Sequence, residues 1–220
     1  MDSTAWDDRY AATDLVWSAG PNATVAALVE SRPPGRALDL AAGEGRNALW
    51  LAQRGWDVTA VDFSAVAIER TDQLADERLG ADRDRLRSLV ADVLRWEPPP
   101  AAYDLVLVVF LHLSAPDLTV VHRRAATALA PGGLLVVLAH DRSNLDGGYG
   151  GPQDRAVLPT PADVVADLQG TGLVVQRSDV IKRGVDVGAE VHHARDCLVV
   201  ATRPDATSER RGDRPSGPAG

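Results

Sequence analysis

Short apolar runs recur along the chain, separated by stretches with helical spacing. The runs are Ala37–Ala41, Val58–Val61, Leu86–Val90, Tyr103–Phe110 and Leu134–Ala139, each of strand length and bounded by turn residues. Between them, Arg46–Arg54, Ala65–Asp76 and Asp117–Ala130 read as helices, with Ser64 placed as an N-cap. Thr24–Glu30 is a short amphipathic helix, ended by the paired prolines of Arg32–Gly35. Glu97–Ala102, with its three prolines, is a loop, and Pro131–Gly133 is expected to break the helix before the fifth strand. Tyr103–Phe110 is continuously apolar after Asp104, as in a central strand covered on both faces. Regular alternation of strand and helix predicts a parallel, doubly wound α/β sheet.

The last third breaks that rhythm. His140–Thr160 is a long Gly-rich loop carrying Tyr149, and Pro161–Gln169 is a helix. Leu173–Lys182 and Glu190–Thr202 follow as strands with no helix between them, which requires an antiparallel pair. The expectation is a seven-stranded, mainly parallel sheet with an antiparallel edge contributed by the last strand. Residues 1–35, with Trp6, Tyr10 and Trp17, are expected to form an N-terminal helical cap. These aromatics either staple a helix to the domain or close over a flat ligand. Residues 36–203 form the main domain, and 204–220 read as a disordered tail of Arg, Asp, Pro, Ser and Gly.

The chemistry concentrates at Ala37–Asp62. A strand enters a turn of small residues, Ala42–Gly45, which opens a helix, and the next strand ends on Asp62. Gly43 and Gly45 let a ligand approach backbone at a helix N-terminus. Asp62 lies roughly 20 residues past the glycines, where βαβ nucleotide sites place the acid that bonds ribose hydroxyls. This points to an adenosine-binding site. Gly43–Ala48 also fits the dinucleotide fingerprint, but three features turn away from a dinucleotide. Asp39, just before the turn, repels a pyrophosphate and suits a ligand with an ammonium or sulfonium charge. Asp92 ends the third strand, where it can accept from an adenine amine. The paired C-terminal strands differ from a second mononucleotide-binding half.

Composition narrows the partners. The 220 residues are 45% hydrophobic and carry a net charge of −8, which suits one domain with a sizeable core. The acidic balance disfavours nucleic acid and anionic membrane as partners. No apolar run approaches the ~20 residues of a membrane span. The single cysteine, Cys197, and an acidic start without a leader pattern suggest a reducing cytoplasm. No Cys–His cluster has metal-ligand spacing.

The segment LDLAAGEGRNALWLAQRGWDVTAVDFS resembles motif I and the second strand of class I S-adenosylmethionine-dependent methyltransferases. GEGRN with its following helix resembles, more narrowly, the tellurite-resistance and thiopurine methyltransferase-like branch, which acts on small molecules. Ala41 departs from the family run D-x-G-x-G-x-G, which has glycine there. The resemblance implies S-adenosylmethionine as cofactor and S-adenosylhomocysteine as product. It places Ala41, Gly43 and Gly45 around the methionine portion, with Asp39 behind them. It assigns Asp62 to the ribose, Phe63 to the adenine face, Asp92 and Val93 to the adenine edge, and Val109 to the sulfonium. Arg46 and Asn47 either contact the cofactor carboxylate or pack at the helix start.

Methyl transfer needs collinear nucleophile, methyl and sulfur, and a base only when the nucleophile arrives protonated. His112, directly after the fourth strand, is the first candidate for that base, and His140 the second. Phe110, His112, Tyr149 and Trp17 are expected in the substrate pocket. Alternation sends one of His192 and His193 inward, and His193 is assigned to the pocket. His122, inside a helix, reads as structural. The expectation is a small-molecule methyltransferase, monomeric or homodimeric. The competing readings are an NAD(P)-dependent oxidoreductase and a non-catalytic cofactor-binding module.

Overall fold

The structure is a computed structural model that describes residues 20–188 and 190–205. The N-terminal aromatics Trp6, Tyr10 and Trp17, and most of the expected tail, lie outside the described residues. Helix α1 (Ala23–Val29) precedes β1 (Arg36–Leu40), α2 (Arg46–Gln53), β2 (Asp57–Asp62), α3 (Ala65–Arg78), β3 (Leu86–Val90) and β4 (Tyr103–Val109). Then follow α4 (Ala115–Ala128), β5 (Leu129–His140), α5 (Pro161–Asp167), β6 (Val174–Val187) and β7 (Glu190–Thr202). The seven strands lie in the order β3-β2-β1-β4-β5-β7-β6. The first five are parallel, and β7 runs antiparallel to both of its neighbours.

The last strand is therefore antiparallel as expected, but it is not the edge. β7 is buried almost continuously from Ala194 to Ala201, whereas β6 is mostly exposed. The apolar ARDCLVVA stretch takes the interior position, and the charged QRSDVIKR stretch takes the edge, where charge discourages pairing with another chain. The β6–β7 ladder also runs further than the sequence suggested, to Val187↔Glu190. Beyond His140↔Asp196, the last β5 pair, it is a two-stranded arm.

Two other boundaries move. α4 starts earlier, because Ser114 Oγ accepts from the Asp117 amide and Pro116 occupies the first turn. β5 starts at Leu129, which pairs with Tyr103, and a register shift before Leu105 absorbs Pro131–Gly133. Each face of the sheet carries its own core. One holds Val25, Leu51, Trp56, Leu107 and Leu198, under α1 and α2. The other holds Leu38, Val106, Val121, Val164 and Val199, under α4 and α5.

Candidate functional site

The C-terminal ends of β1, β2, β4 and β5 share one edge of the sheet, where open α/β sheets hold their ligands. At its centre is the turn from β1 to α2. Ala41, Gly43 and Gly45 all have positive φ, at 57°, 56° and 74°. Glycine adopts that region without strain; Ala41 does so at a cost of roughly 1 kcal/mol. Gly45 is also required by space, since a Cβ there would lie 2.5 Å from Thr71 Cγ2. Thr71 Oγ1 donates to the Gly43 carbonyl at 3.2 Å, so α3 fixes the turn from behind. Glu44, only 2% exposed, pairs with Arg70 of α3 at 2.8 Å. Gly45 caps α2 without a side chain of its own, and the Asp39 carboxyl takes the Ala48 amide of the first turn.

The three predicted acids fall where the strands end. Asp39 is 1% exposed on the α1–α2 face of β1. Burial, opposed by Arg46 and a hydrogen bond from the Ala48 amide and reinforced by Asp62, pushes its pKa up to about 7. Its Oδ2 has no hydrogen-bond partner among the described residues. Asp62 accepts from the Gly43 amide at 2.8 Å and the Ser64 amide at 3.0 Å, tying β2 to the turn. Asp92 accepts from the Leu94 amide at 2.9 Å and is partly exposed. Phe63 is half-buried beside Asp62; Val93 is half-buried against the α4 face of the core. Asn47 is buried, and its Oδ1 accepts from the Asn22 amide at 2.9 Å, so it packs α2 against the cap of α1. Arg46 opens α2 close enough to Asp39 to lower its pKa.

A second cluster continues along the same edge. Val109 is buried at the end of β4, and Phe110 follows with φ 56°. The rings of Phe110 and His140 lie 5.0 Å apart, and those of His112 and His140 are stacked at 5.6 Å. Burial, together with the nearby His140, drops the His112 pKa to about 4, while Asp196 opposes the shift. His112 Nε2 is buried with no partner among the described residues. Gly151 covers His140: a Cβ there would meet the ring at 2.7 Å.

The structure thus brings His112, His140 and Phe110 together. The paired histidines lie on opposite faces of β7. His192 is the one stacked on Tyr149, with ring centroids 4.5 Å apart. His193 is exposed and lies opposite Gly184, so alternation puts it on the face away from Asp196. Sequence reasoning missed Arg183 and Asp196. Asp196 is fully buried and accepts from Arg183 Nε at 2.6 Å. An acid inside the apolar run Cys197–Ala201 and its flank was the available signal. Cys197 itself is buried, with burial pushing its thiol up to about 12, so it is no nucleophile. Among the described residues there is no three-residue group of His, Cys, Asp or Glu suited to a metal. No described helix is long and apolar enough to cross a membrane.

Sheet order, antiparallel β7 and the acid-flanked glycine turn define the class I methyltransferase fold, a Rossmann-like architecture. Residues 37–133 match the family described as a methyltransferase domain. A demethylmenaquinone methyltransferase from Thermus thermophilus is 35% identical over 113 residues, which is 50% of this chain and 50% of that protein. The matched stretch thus spans about half the length of that curated relative. Among solved structures, one from work on converting a disulfide bond into a thioacetal group during echinomycin biosynthesis has TM-score 0.73 and 20% identity. It covers 95% of this chain and 96% of its own. Magnesium protoporphyrin IX methyltransferase from Synechocystis, with bound SAM, has TM-score 0.65 and 17% identity, covering 92% and 98%. At these identities the solved structures speak for the fold.

Proposed function

We propose that this protein is a methyltransferase that uses S-adenosylmethionine and a small-molecule acceptor, releasing S-adenosylhomocysteine. One observation carries the reading: the buried, unpartnered Oδ2 of Asp39 beneath the glycine turn. A buried carboxyl oxygen without a partner costs on the order of 1–3 kcal/mol, and a ligand ammonium or sulfonium offsets that cost. A pyrophosphate at the same turn makes it worse. The residues therefore fit the sulfonium cofactor, which when bound supplies an electrophilic methyl group.

In this reading, Ala41, Gly43 and Gly45 line the methionine portion. Asp62 holds the turn and bonds the ribose, since a carboxylate oxygen accepts more than one hydrogen bond. Asp92 takes the adenine amine, with Phe63 and Val93 beside the ring. Arg46 faces the cofactor carboxylate, and Val109 and Phe110 wall off the reacting centre. His112 and His140 are the candidates for a base. In the same reading, the resemblance of the GEGRN turn supports a small-molecule branch like that of the tellurite-resistance and thiopurine methyltransferases. Residues 1–35 act as a cap and 36–203 as the methyltransferase domain, in a cytoplasmic monomer or homodimer.

Calorimetry with S-adenosylhomocysteine and with NAD tests the reading directly. The expected result is binding of the first, lost in Gly43→Asp, and none of the second. A screen of thiols, phenols, amines and tellurite for S-adenosylhomocysteine release then separates an enzyme from a binding module. NAD binding in place of S-adenosylhomocysteine sinks the proposal.

A further inference from the structure

Asp196 is 0% exposed, yet it lies in a strand that is otherwise apolar on that stretch. Its partners come from both flanking strands. Arg183 of β6 donates Nε to Oδ2 at 2.6 Å and Nη2 to Oδ1 at 3.3 Å. His140 of β5 stands directly opposite in the ladder, with Nδ1 3.4 Å from Oδ1. Burial alone would raise the Asp196 pKa, but the neighbouring His140 and Arg183 outweigh it and hold the carboxyl below its usual range. Arg183 is fixed in turn, its guanidinium 5.2 Å from the Phe110 ring centroid.

A buried ion pair of this kind contributes little to stability that apolar residues could not. What it does here is orient one ring. The Asp196 carboxylate lies 3.4 Å from Nδ1, and Nδ1 makes no hydrogen bond among the described residues. The carboxylate is thus the group placed to take that N–H, which would keep the proton on Nδ1 and leave Nε2 of His140 as the acceptor. The ring is also confined by Gly151, Phe110 and His112. His112 stays neutral through the physiological range, so it offers the acceptor a polar contact without a charge. The walls are flat rings, and the site contains a prepared base. An amine that arrives neutral needs no base, and a thiol ionises near neutrality. A phenol is flat and stays protonated at neutral pH.

We propose that Asp196 and Arg183 are positioning residues that fix His140 as the base toward an aromatic hydroxyl acceptor, bordered by Phe110 and His112. This rests on the methyltransferase reading above. The acceptor oxygen bonds the methyl carbon as the carbon–sulfur bond of the sulfonium donor breaks, and that electron pair stays on sulfur. The hydroxyl proton passes to His140 Nε2. The resulting imidazolium rests beside Asp196 until it releases the proton to solvent.

The test compares wild type with Asp196→Asn, His140→Gln and Arg183→Met, each checked by thermal unfolding and S-adenosylhomocysteine calorimetry. First, the S-adenosylhomocysteine complex is titrated with 4-nitrophenol below the pH at which that phenol ionises in water. Wild type is expected to show the phenolate absorbance band, and Asp196→Asn and His140→Gln to lose it. Second, turnover is followed with 4-methoxyphenol and with 4-nitrophenol at a pH where only the latter is ionised. Loss of base catalysis lowers kcat for 4-methoxyphenol by about 100-fold or more. The ionised phenol should fall by less than about 3-fold, since it needs no base, with KM changed little for either. Arg183→Met should show the same selectivity at smaller size. If Asp196→Asn does not fold, His140→Gln carries the comparison alone. Equal losses for the two phenols, or a phenolate band that survives in the folded variants, overturns the proposal. Turnover of thiols or amines with neither phenol overturns the acceptor class. Failure of wild type to bind S-adenosylhomocysteine overturns the underlying reading instead, so the two failures are distinct.

Discussion

The carboxylate of Glu44 meets the guanidinium of Arg70 at 2.8 Å, with 2% of the Glu44 side chain exposed and 22% of the Arg70 side chain. The pair joins the middle of the glycine turn to α3, alongside the Thr71 bond to the Gly43 carbonyl. Removing the cation leaves a buried, unpaired carboxylate, which in a fully enclosed pair costs ~3–5 kcal/mol. Arg70 is partly exposed, so Arg70→Met is expected to cost about 2 kcal/mol. For a domain of this size that lowers Tm by roughly 4–8 °C. Because the turn shapes the proposed cofactor site, S-adenosylhomocysteine affinity should fall by about 10-fold. Calorimetry below the unfolding range checks this; unchanged affinity would mean that the pair serves stability alone.

The sheet was legible because buried parallel strands read as apolar runs, and turn residues punctuate them. The turn was legible for a similar reason: glycines at Gly43 and Gly45 and acids at Asp39, Asp62 and Asp92 carry their spacing in one dimension. What stayed hidden is what separated segments build together. Glu44–Arg70 joins residues 26 apart, and His140 meets Asp196 only through the β5–β7 register. The position of β7 inside β6 was hidden too, because adjacency in sequence does not say which strand of a hairpin faces the sheet. His192 and His193 differ by one step of alternation, so a one-residue error in phase exchanges them.

Ala41 and Gly45 make opposite predictions from the same turn. Ala41 holds φ 57°, where its Cβ is strained. Ala41→Gly is expected to raise stability by up to about 1 kcal/mol, less the added freedom of the unfolded chain. At Gly45, φ is +74° and an added Cβ lies 2.5 Å from Thr71 Cγ2. Gly45→Ala should cost about 2 kcal/mol or more and weaken cofactor binding. Thr71→Ser removes the closest contact and should recover part of that loss. Denaturant unfolding of the single and double variants reads all three effects.

Asp39 sets a pH dependence. Its folded pKa is about 7 against an ordinary 3.8, raised first by burial and lowered in part by Arg46. Between those values the folded chain binds more protons than the unfolded chain, so its contribution to stability falls as pH rises, then levels above about 7. The ammonium of the ligand's amino-acid end favours the ionised form. S-adenosylhomocysteine affinity is therefore expected to rise by about 10-fold or more from pH 5 to pH 8. In Asp39→Asn the stability curve should flatten over that window, the apo protein should gain stability at neutral pH, and affinity should drop and lose its slope. A wild-type affinity that is flat with pH contradicts this assignment.

His122 supplies the contrast, away from the crevice. It is 1% exposed, its Nδ1 lies 2.8 Å from Asp167 Oδ2, and Thr119 Oγ1 donates to Asp167 Oδ1 at 2.6 Å. These contacts bind α4 to α5 on the face of the sheet opposite Asp39. Burial raises the Asp167 pKa, but the bonds from His122 and Thr119 outweigh it and hold the carboxyl below its usual range. A depressed acid contributes stability above its unfolded pKa and loses it as pH falls through the folded value. His122→Ala removes that bond and leaves a cavity between the helices, at an expected cost of about 2–4 kcal/mol near neutral pH. The gap between wild type and variant should narrow on acidification, as Asp167 takes up its proton in both. S-adenosylhomocysteine affinity at temperatures where the variant is folded should match wild type within about 2-fold, because His122 and Asp167 bond each other and Thr119 rather than the glycine turn. A larger loss of affinity would show that α4 transmits strain through β4 to Phe110, and the two faces of the sheet would have to be treated as coupled.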